Sequence, residues 1–127
     1  MSESVNVRYM VSDVQAAVDW YVGHFGFTVQ MSAAPAFASV ERGALRLLLS
    51  GAKSSAGRAM PDGVLPEPGG WNRFQVIVED IDVEADRLRA AGVTFRNEIL
   101  KGPGGSQVLV QDPSGNLVEL FQPAGRG

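Results

Sequence analysis

The sequence predicts an α+β protein built from two tandem βαβββ modules. Three observations predict this class. Apolar runs typical of strands surround two segments with helical spacing, the order strand, helix and three strands occurs twice, and matching short motifs recur in the same order in both halves. The modules span about residues 5–50 and 71–123 and are joined by a Gly/Pro-rich loop, 51–70, within a single domain, 1–127.

The first module begins with a partly alternating strand at residues 5–11. Ser12 and Asp13 then provide a helix N-cap, and Gly26 provides the C-terminal stop. Between them the apolar residues recur with helical periodicity, at Val14, Ala17, Val18, Tyr21, Val22 and Phe25. Three strands follow, at 27–31, 37–41 and 44–49, with a break at Ala33-Ala34-Pro35 and a turn at Arg42-Gly43.

The second module repeats this pattern. A strand at 73–78 precedes a helix for which either Asp80 or Asp82 is the N-cap, and Gly92 ends that helix. The apolar face of the helix consists of Ile81, Ala85 and Leu88. A strand at 93–96 follows, and the module closes with a hairpin.

That hairpin contains the most informative stretch of the chain. Asp112-Pro-Ser-Gly115 favours a tight turn, because proline presets φ, aspartate bonds its own backbone and glycine closes the turn. Strand-like runs at 107–111 and 117–121 flank it. The second run carries a carboxylate, Glu119, between apolar neighbours. If it points inward it requires a metal, a cation or a polar ligand; alternatively, it faces water.

Composition excludes several function classes. A net charge of −3 and a pI near 5 argue against nucleic acid or an anionic membrane as the main partner. The absence of cysteine excludes disulfides, thiolate metal sites and cysteine nucleophiles. The N-terminus shows no signal-peptide pattern, and no apolar run approaches the ~20 residues of a membrane helix. A cytoplasmic, soluble protein is therefore expected.

The loop at 51–70 has two interpretations. A connection of this length without periodicity is unusual inside a domain, so it is either a plain linker or a lid over a pocket. The motifs Met60-Pro61 and Pro66-Glu67-Pro68-Gly69-Gly70-Trp71 favour ordered structure.

The chain resembles the vicinal oxygen chelate superfamily, which includes glyoxalase I, extradiol dioxygenases and bleomycin-resistance proteins. The motifs that carry the resemblance are Val11-Ser-Asp-Val14 with Trp20-Tyr21 and Gly26-Phe27, then Ala90-Ala-Gly-Val93, then Asp112-Pro-Ser-Gly-Asn-Leu-Val-Glu-Leu-Phe121. The resemblance implies that the modules form a curved, cup-shaped mixed sheet with the helices outside and a site on the inner face.

Metal-dependent members of that superfamily place ligands at four pseudo-symmetric positions. By the repeat these correspond here to Asn6, Leu47, Arg73 and Glu119. Arginine and leucine cannot ligate a cation, and a catalytic zinc or iron usually needs about three protein ligands. We therefore expect no metal and no cofactor, and we expect the only histidine, His24, to lie in a solvated position near the end of the first helix.

Arg73 and Glu119 are instead expected to form an ion pair, or to be held ready for a polar ligand group; alternatively, one of them meets only water. Alternation brings further apolar and polar residues to the same face, which is the usual composition of a small-molecule pocket. Trp71 and Phe37 are candidates to stack on a flat ligand. The predicted ligand-binding set is Asn6, Arg8, Phe37, Leu47, Trp71, Arg73, Gln75, Glu119 and Phe121.

Two functions from different classes follow. The first is a metal-independent binding protein that sequesters an aromatic or natural-product ligand, as antibiotic-resistance members of the superfamily do, and the resemblance implies a homodimer. The alternative is a glyoxalase-like lyase or isomerase, or a dioxygenase, with a degenerate metal site and Glu119 as a general base. A relic of the fold without activity, or a module that serves a larger assembly, is a third interpretation. The binding protein is the interpretation we favour.

Overall fold

A computed structural model describes residues 3–125. The predicted α+β class and the tandem repeat are confirmed: two helices accompany two mixed sheets. The chain divides into two compact units. The first extends to Gly69 and includes Pro113–Gly115, and the second comprises Gly70–Asp112 and the residues from Asn116 onward. That the units make one domain stays a prediction.

The first unit contains one α-helix, a four-stranded sheet and a short 3-10 helix, Ser55–Gly57. Its elements are β1 (Val5–Met10), α1 (Val14–Phe25), β2 (Thr28–Ala33), β3 (Phe37–Arg42) and β4 (Leu45–Ser50). The strand order is β1-β4-β3-β2, with β1 parallel to β4 and the other pairs antiparallel. The core lies on the sheet face that α1 covers, where Tyr9, Ala38, Val40, Leu47 and Leu49 are buried.

The helix α1 has the bounds that its sequence predicts. The Asp13 carboxylate accepts a hydrogen bond from the Ala16 backbone N–H at 3.0 Å, which satisfies one of the donors left free at a helix N-terminus. Gly26 ends the helix with φ 67°, a left-handed conformation that glycine adopts without a steric penalty. Both signals are local in sequence.

The second unit has the same strand order as the first. Its elements are β5 (Arg73–Ile77), α2 (Ile81–Ala90), β6 (Thr94–Phe95), β7 (Leu100–Gly102), β8 (Gly105–Gln111) and β9 (Leu117–Pro123). The order is β5-β9-β8-β6, with β5 parallel to β9 and β7 also paired to β8. Equal strand order in the two units supports the internal duplication.

The N-cap of α2 is Asp80, which settles the alternative that the sequence leaves open. Its carboxylate accepts a hydrogen bond from the Val83 N–H at 3.1 Å. The buried residues of α2 are Ile81, Ala85 and Leu88, as predicted.

Replacing Asp80 with alanine is expected to lower the free energy of unfolding by about 1 kcal/mol, because an N–H at the start of α2 loses its acceptor. The matched control is Asp82→Ala, which removes only a charge near the helix N-terminus and is expected to lower it by about 0.3 kcal/mol. Urea unfolding measures both values. Equal losses would contradict the assignment of the cap.

The segment after α2 differs from the single predicted strand at 93–96. It forms two short strands, β6 and β7, which pair with opposite ends of β8. Asn97 explains the interruption, because its side-chain oxygen accepts a hydrogen bond from the Leu109 N–H at 2.9 Å. A side chain thus replaces a backbone acceptor of the ladder at this point. A turn at residues 102–105 joins β7 to β8.

The Asp112–Asn116 turn sets the register of β8 and β9. The Asn116 N–H donates to the Asp112 carboxylate at 2.9 Å, and the Asp112 N–H donates to the Asn116 carbonyl oxygen at the same distance. Gln111 is consequently paired with Leu117, and Glu119 lies between Leu109 on β8 and Gln75 on β5.

No helix in the part of the chain that the structure describes is long and apolar enough to cross a membrane.

Candidate functional site

Each sheet has a helix-free face, formed by the residues that alternate with those packed against its helix. Laterally paired residues of neighbouring strands share a face. On the second sheet the register therefore places on the helix-free face Arg73, Gln75 and Ile77 of β5, Leu117, Glu119 and Phe121 of β9, and Gln107 and Leu109 of β8.

Glu119 is held in place by two side chains of the neighbouring strand. Its Oε1 accepts a hydrogen bond from Arg73 Nε at 3.0 Å, and its Oε2 accepts one from Gln75 Nε2 at 2.7 Å. The residue is only 6% exposed. The expected ion pair is therefore present, with the carboxylate buried and the Arg73 side chain 30% exposed. Charge-assisted hydrogen bonds of this kind compensate for burial of the charge.

The guanidinium of Arg73 retains donors beyond this pair. Its Nη1 donates to the Trp71 carbonyl oxygen at 3.2 Å, whereas Nη2 donates to no residue in the range 3–125. Because the side chain reaches solvent, that donor is available to an acceptor group of a ligand.

Trp71 offers an exposed aromatic surface two residues before Arg73 in the chain. The Arg96 guanidinium lies over one face of the indole, 4.9 Å from the ring centroid, within the range of a cation–π contact. The residue is nevertheless 62% exposed. An indole with a cation on one face and solvent on the other presents a stacking surface for a flat molecule.

A pocket of about 270 Å³ lies where the β7–β8 turn meets β9. Its lining residues are Leu100, Lys101, Gly102, Gly104, Gly105, Gln107 and Phe121. Leu100, Gln107 and Phe121 are paired across three strands and share the helix-free face. Phe121 is two residues from Glu119 on the same face of β9, so the pocket adjoins the polar group. The sequence pointed to Phe121 but not to the residues of the β7–β8 turn.

The helix-free face of the first sheet carries Asn6, Arg8 and Phe37. Arg8 Nη1 donates to the buried Ser50 hydroxyl at 2.9 Å, and Ser50 is paired with Phe37. Leu47 lies elsewhere, and the sequence-based equivalence with Glu119 is wrong by one residue. Leu47 is paired with Val7 and is fully buried on the face packed against α1. Leu48, which pairs with Arg8, corresponds to Glu119.

The physical reason for this shift is the length of the two turns. Four residues separate the paired Glu41 and Arg46, whereas five separate the corresponding pair, Gln111 and Leu117. Alignment of the glycines of these turns therefore displaces β4 by one position. Because strand side chains alternate between faces, a displacement of one residue moves every side chain to the opposite face.

The donor groups do not fit a metal ion. Glu119 already binds two donors, one of which belongs to a cation. The residue at the corresponding position of the first sheet is a leucine. Among residues 3–125, no three His, Cys, Asp or Glu side chains lie close enough to share an ion. His24 is in the last turn of α1, beside Trp20 at 5.5 Å between ring centroids.

Trp20 belongs to an aromatic cluster on α1. Its ring also contacts Tyr21 at 4.8 Å and Phe25 at 5.3 Å between centroids. These contacts give Trp20 a packing role.

Comparison with known proteins agrees with the fold. The family model of the glyoxalase/bleomycin resistance protein/dioxygenase superfamily matches residues 5–120. A member of that superfamily from Sphaerobacter thermophilus DSM 20745 is 26% identical, with a TM-score of 0.76 over 96% of this chain and 98% of that chain. TnmS3, an antibiotic-binding protein from Streptomyces sp. CB03234, is also 26% identical, with a TM-score of 0.71 over 98% of each chain.

Lactoylglutathione lyase from Agrobacterium tumefaciens shares the fold at 22% identity, with a TM-score of 0.73 over 96% of this chain and 94% of that chain. A search among curated proteins found no significant match. The chain belongs to the glyoxalase/bleomycin resistance protein/dioxygenase superfamily. Within it the solved structures include both a lyase and an antibiotic-binding protein.

Proposed function

We propose that this protein binds and sequesters a small aromatic or natural-product ligand, without a metal ion, on the helix-free face of its second sheet. The observation that carries the proposal is the buried Glu119, whose two oxygens are both bonded to β5 side chains. A carboxylate engaged in this way orients Arg73 and Gln75 and is poorly placed to ligate an ion or to accept a proton from a substrate.

The groups left available have the character of a small-molecule site. Arg73 provides a donor, Trp71 a stacking surface and Phe121 an apolar wall of the pocket. A few fixed polar groups next to apolar and aromatic surface are typical of such sites. The likeness to an antibiotic-binding protein at 26% identity supports the same class of ligand. A homodimer in the cytoplasm completes the proposal.

The test uses the fluorescence of Trp71 to report ligand binding at the site. The chain has two tryptophans, so the Trp20→Phe variant leaves Trp71 as the only indole. Aromatic natural products are first screened by thermal shift, since a ligand that binds the folded state raises its apparent stability. The compounds that raise the midpoint are then titrated, and quenching of Trp71 fluorescence is expected.

The Trp71→Ala variant is expected to bind these compounds about tenfold more weakly, because an aromatic stacking contact contributes about 1.5 kcal/mol. The matched control is Val83→Ala, an exposed apolar residue on α2 that is expected to leave affinity unchanged. Equal affinities of the two variants would contradict the site. A rise in thermal midpoint on addition of Zn²⁺, Ni²⁺ or Fe²⁺ would contradict the metal-independent function.

A further inference from the structure

The first sheet contains a partly buried arginine, Arg46, that is not part of the site on the second sheet. The Nε atom of Arg46, on β4, is buried and has no hydrogen-bond partner. Its guanidinium is not within ion-pair distance of any carboxylate among residues 3–125. Buried donors are nearly always paired, and leaving one unpaired is destabilising. Such a group indicates that an acceptor from outside the chain completes it.

The neighbours of Arg46 indicate what that acceptor is. The register places on the helix-free face of the first sheet three rows of paired residues: Asn6, Arg46 and Glu41; Arg8, Leu48 and Ser39; and Met10, Ser50 and Phe37. Arg8 and Arg46 are diagonal neighbours, within reach of each other's long side chains. These rows hold two guanidinium groups and one carboxylate, so their net charge favours an anion.

Glu41 is the carboxylate that would neutralise Arg46. It lies directly opposite Arg46 on β3, where opposite charges commonly pair. No ion pair between them is present in the described structure. The Arg46 guanidinium therefore has no neutralising partner among residues 3–125.

The apolar residues of the same rows indicate the rest of the ligand. Successive positions on one face are about 7 Å apart along a strand, so a ring attached to a carboxylate at Arg46 reaches Leu48 and, on the adjacent strand, approaches Phe37. We propose that Arg46 and Arg8 bind the carboxylate of an aromatic ligand on the helix-free face of the first sheet. Guanidinium groups recognise carboxylates by charge-assisted hydrogen bonds with defined geometry.

The test follows the Arg46 guanidinium directly, by arginine side-chain ¹H–¹⁵N NMR of the full chain titrated with benzoate. The Arg46 Nε–Hε resonance, identified by its absence in Arg46→Met, is expected to shift saturably. Benzamide, the neutral isostere, is expected to bind at least tenfold more weakly. Equal affinity for benzoate and benzamide, or no effect of benzoate on Arg46, overturns the proposal. If inorganic phosphate binds as tightly as benzoate, the proposal that the ligand is aromatic is overturned.

Affinity measurements on variants provide the second readout. Arg46→Met is expected to weaken benzoate binding at least tenfold, whereas the same change at Arg42, an exposed residue of β3 on the other face, leaves it unchanged. Glu41→Gln is expected to strengthen binding by removing the opposing charge. A lower thermal midpoint of Arg46→Met with unchanged benzoate affinity assigns Arg46 a structural role and overturns the proposal. An Arg46 shift that persists in Trp71→Ala supports it even if the second-sheet function fails.

Discussion

Replacing Arg73 with methionine is expected to lower the free energy of unfolding by about 2 kcal/mol, because it leaves the buried Glu119 carboxylate without its cation. Glu119 is 6% exposed and would keep a hydrogen bond only from Gln75. Denaturant unfolding measures the loss, provided that the slope with denaturant concentration stays unchanged.

The same substitution at Arg87 is the matched control. Arg87 also donates from Nε and Nη2 to a carboxylate, Glu84, but on the surface of α2, where the two side chains are 45% and 33% exposed. A pair of this kind contributes about 0.5 kcal/mol or less. Equal losses at the two positions would show that water reaches Glu119.

A double variant separates the pair from the packing around it. Arg73→Met with Glu119→Leu removes both charges, and replacing an ion pair by apolar side chains is often neutral or stabilising. Gln75 then loses its acceptor, but this residue is exposed and water replaces the carboxylate. We expect the double variant to recover most of the stability and to lose binding of the screened ligands. Such an outcome would show that the Arg73–Glu119 ion pair is needed for ligand binding and not for the stability of the fold.

Replacing Gly105 with alanine is expected to lower the free energy of unfolding by about 3 kcal/mol, because a backbone strain and a steric clash add at one position. Gly105 has φ 144°, which other residues rarely adopt, and a Cβ there would meet the Gln122 carbonyl oxygen and lie 2.9 Å from Phe121 Cζ. Since Phe121 lines the pocket, its displacement also weakens ligand binding.

The adjacent glycine provides the control. Gly104 also lines the pocket, yet a Cβ at this position has no atom within 4 Å. Gly104→Ala is therefore expected to change the free energy of unfolding by less than about 0.5 kcal/mol. Thermal and urea unfolding of the two variants measure the difference. A stable Gly105→Ala variant with unchanged ligand affinity would contradict the structure at this turn.

The sequence predicts the elements whose signals are local. The caps of α1 and α2 lie within three residues of the backbone groups that they bond, so residue types alone locate the helix starts. The turn before Glu119 is predicted for the same reason. The ion pair between Arg73 and Glu119 is predictable because the resemblance places both residues at positions where metal-dependent members of the superfamily have ligands.

Register and the polar contacts that depend on it are not predictable in this way. Between corresponding pairs, the connection from β3 to β4 is one residue shorter than the connection from β8 to β9. Leu48, not Leu47, therefore lies opposite Arg8. The displaced alignment also assigns Arg46 to the wrong face of the first sheet. Only the observed strand pairing shows that Arg46 lies on the helix-free face. The division between β6 and β7 depends on an Asn97 side chain that bonds a residue twelve positions away. These features are set by tertiary pairing, which a linear pattern does not encode.

The position of β9 within its sheet has a consequence for synthesis on the ribosome. β9 lies between β5 and β8, although it is the last of the described strands to be translated. Until residues 117–123 have left the exit tunnel, β5 has no strand partner within its own unit, and its backbone groups stay open to pairing with other chains. Nascent chains that stall before this point would therefore expose an edge that the finished protein covers.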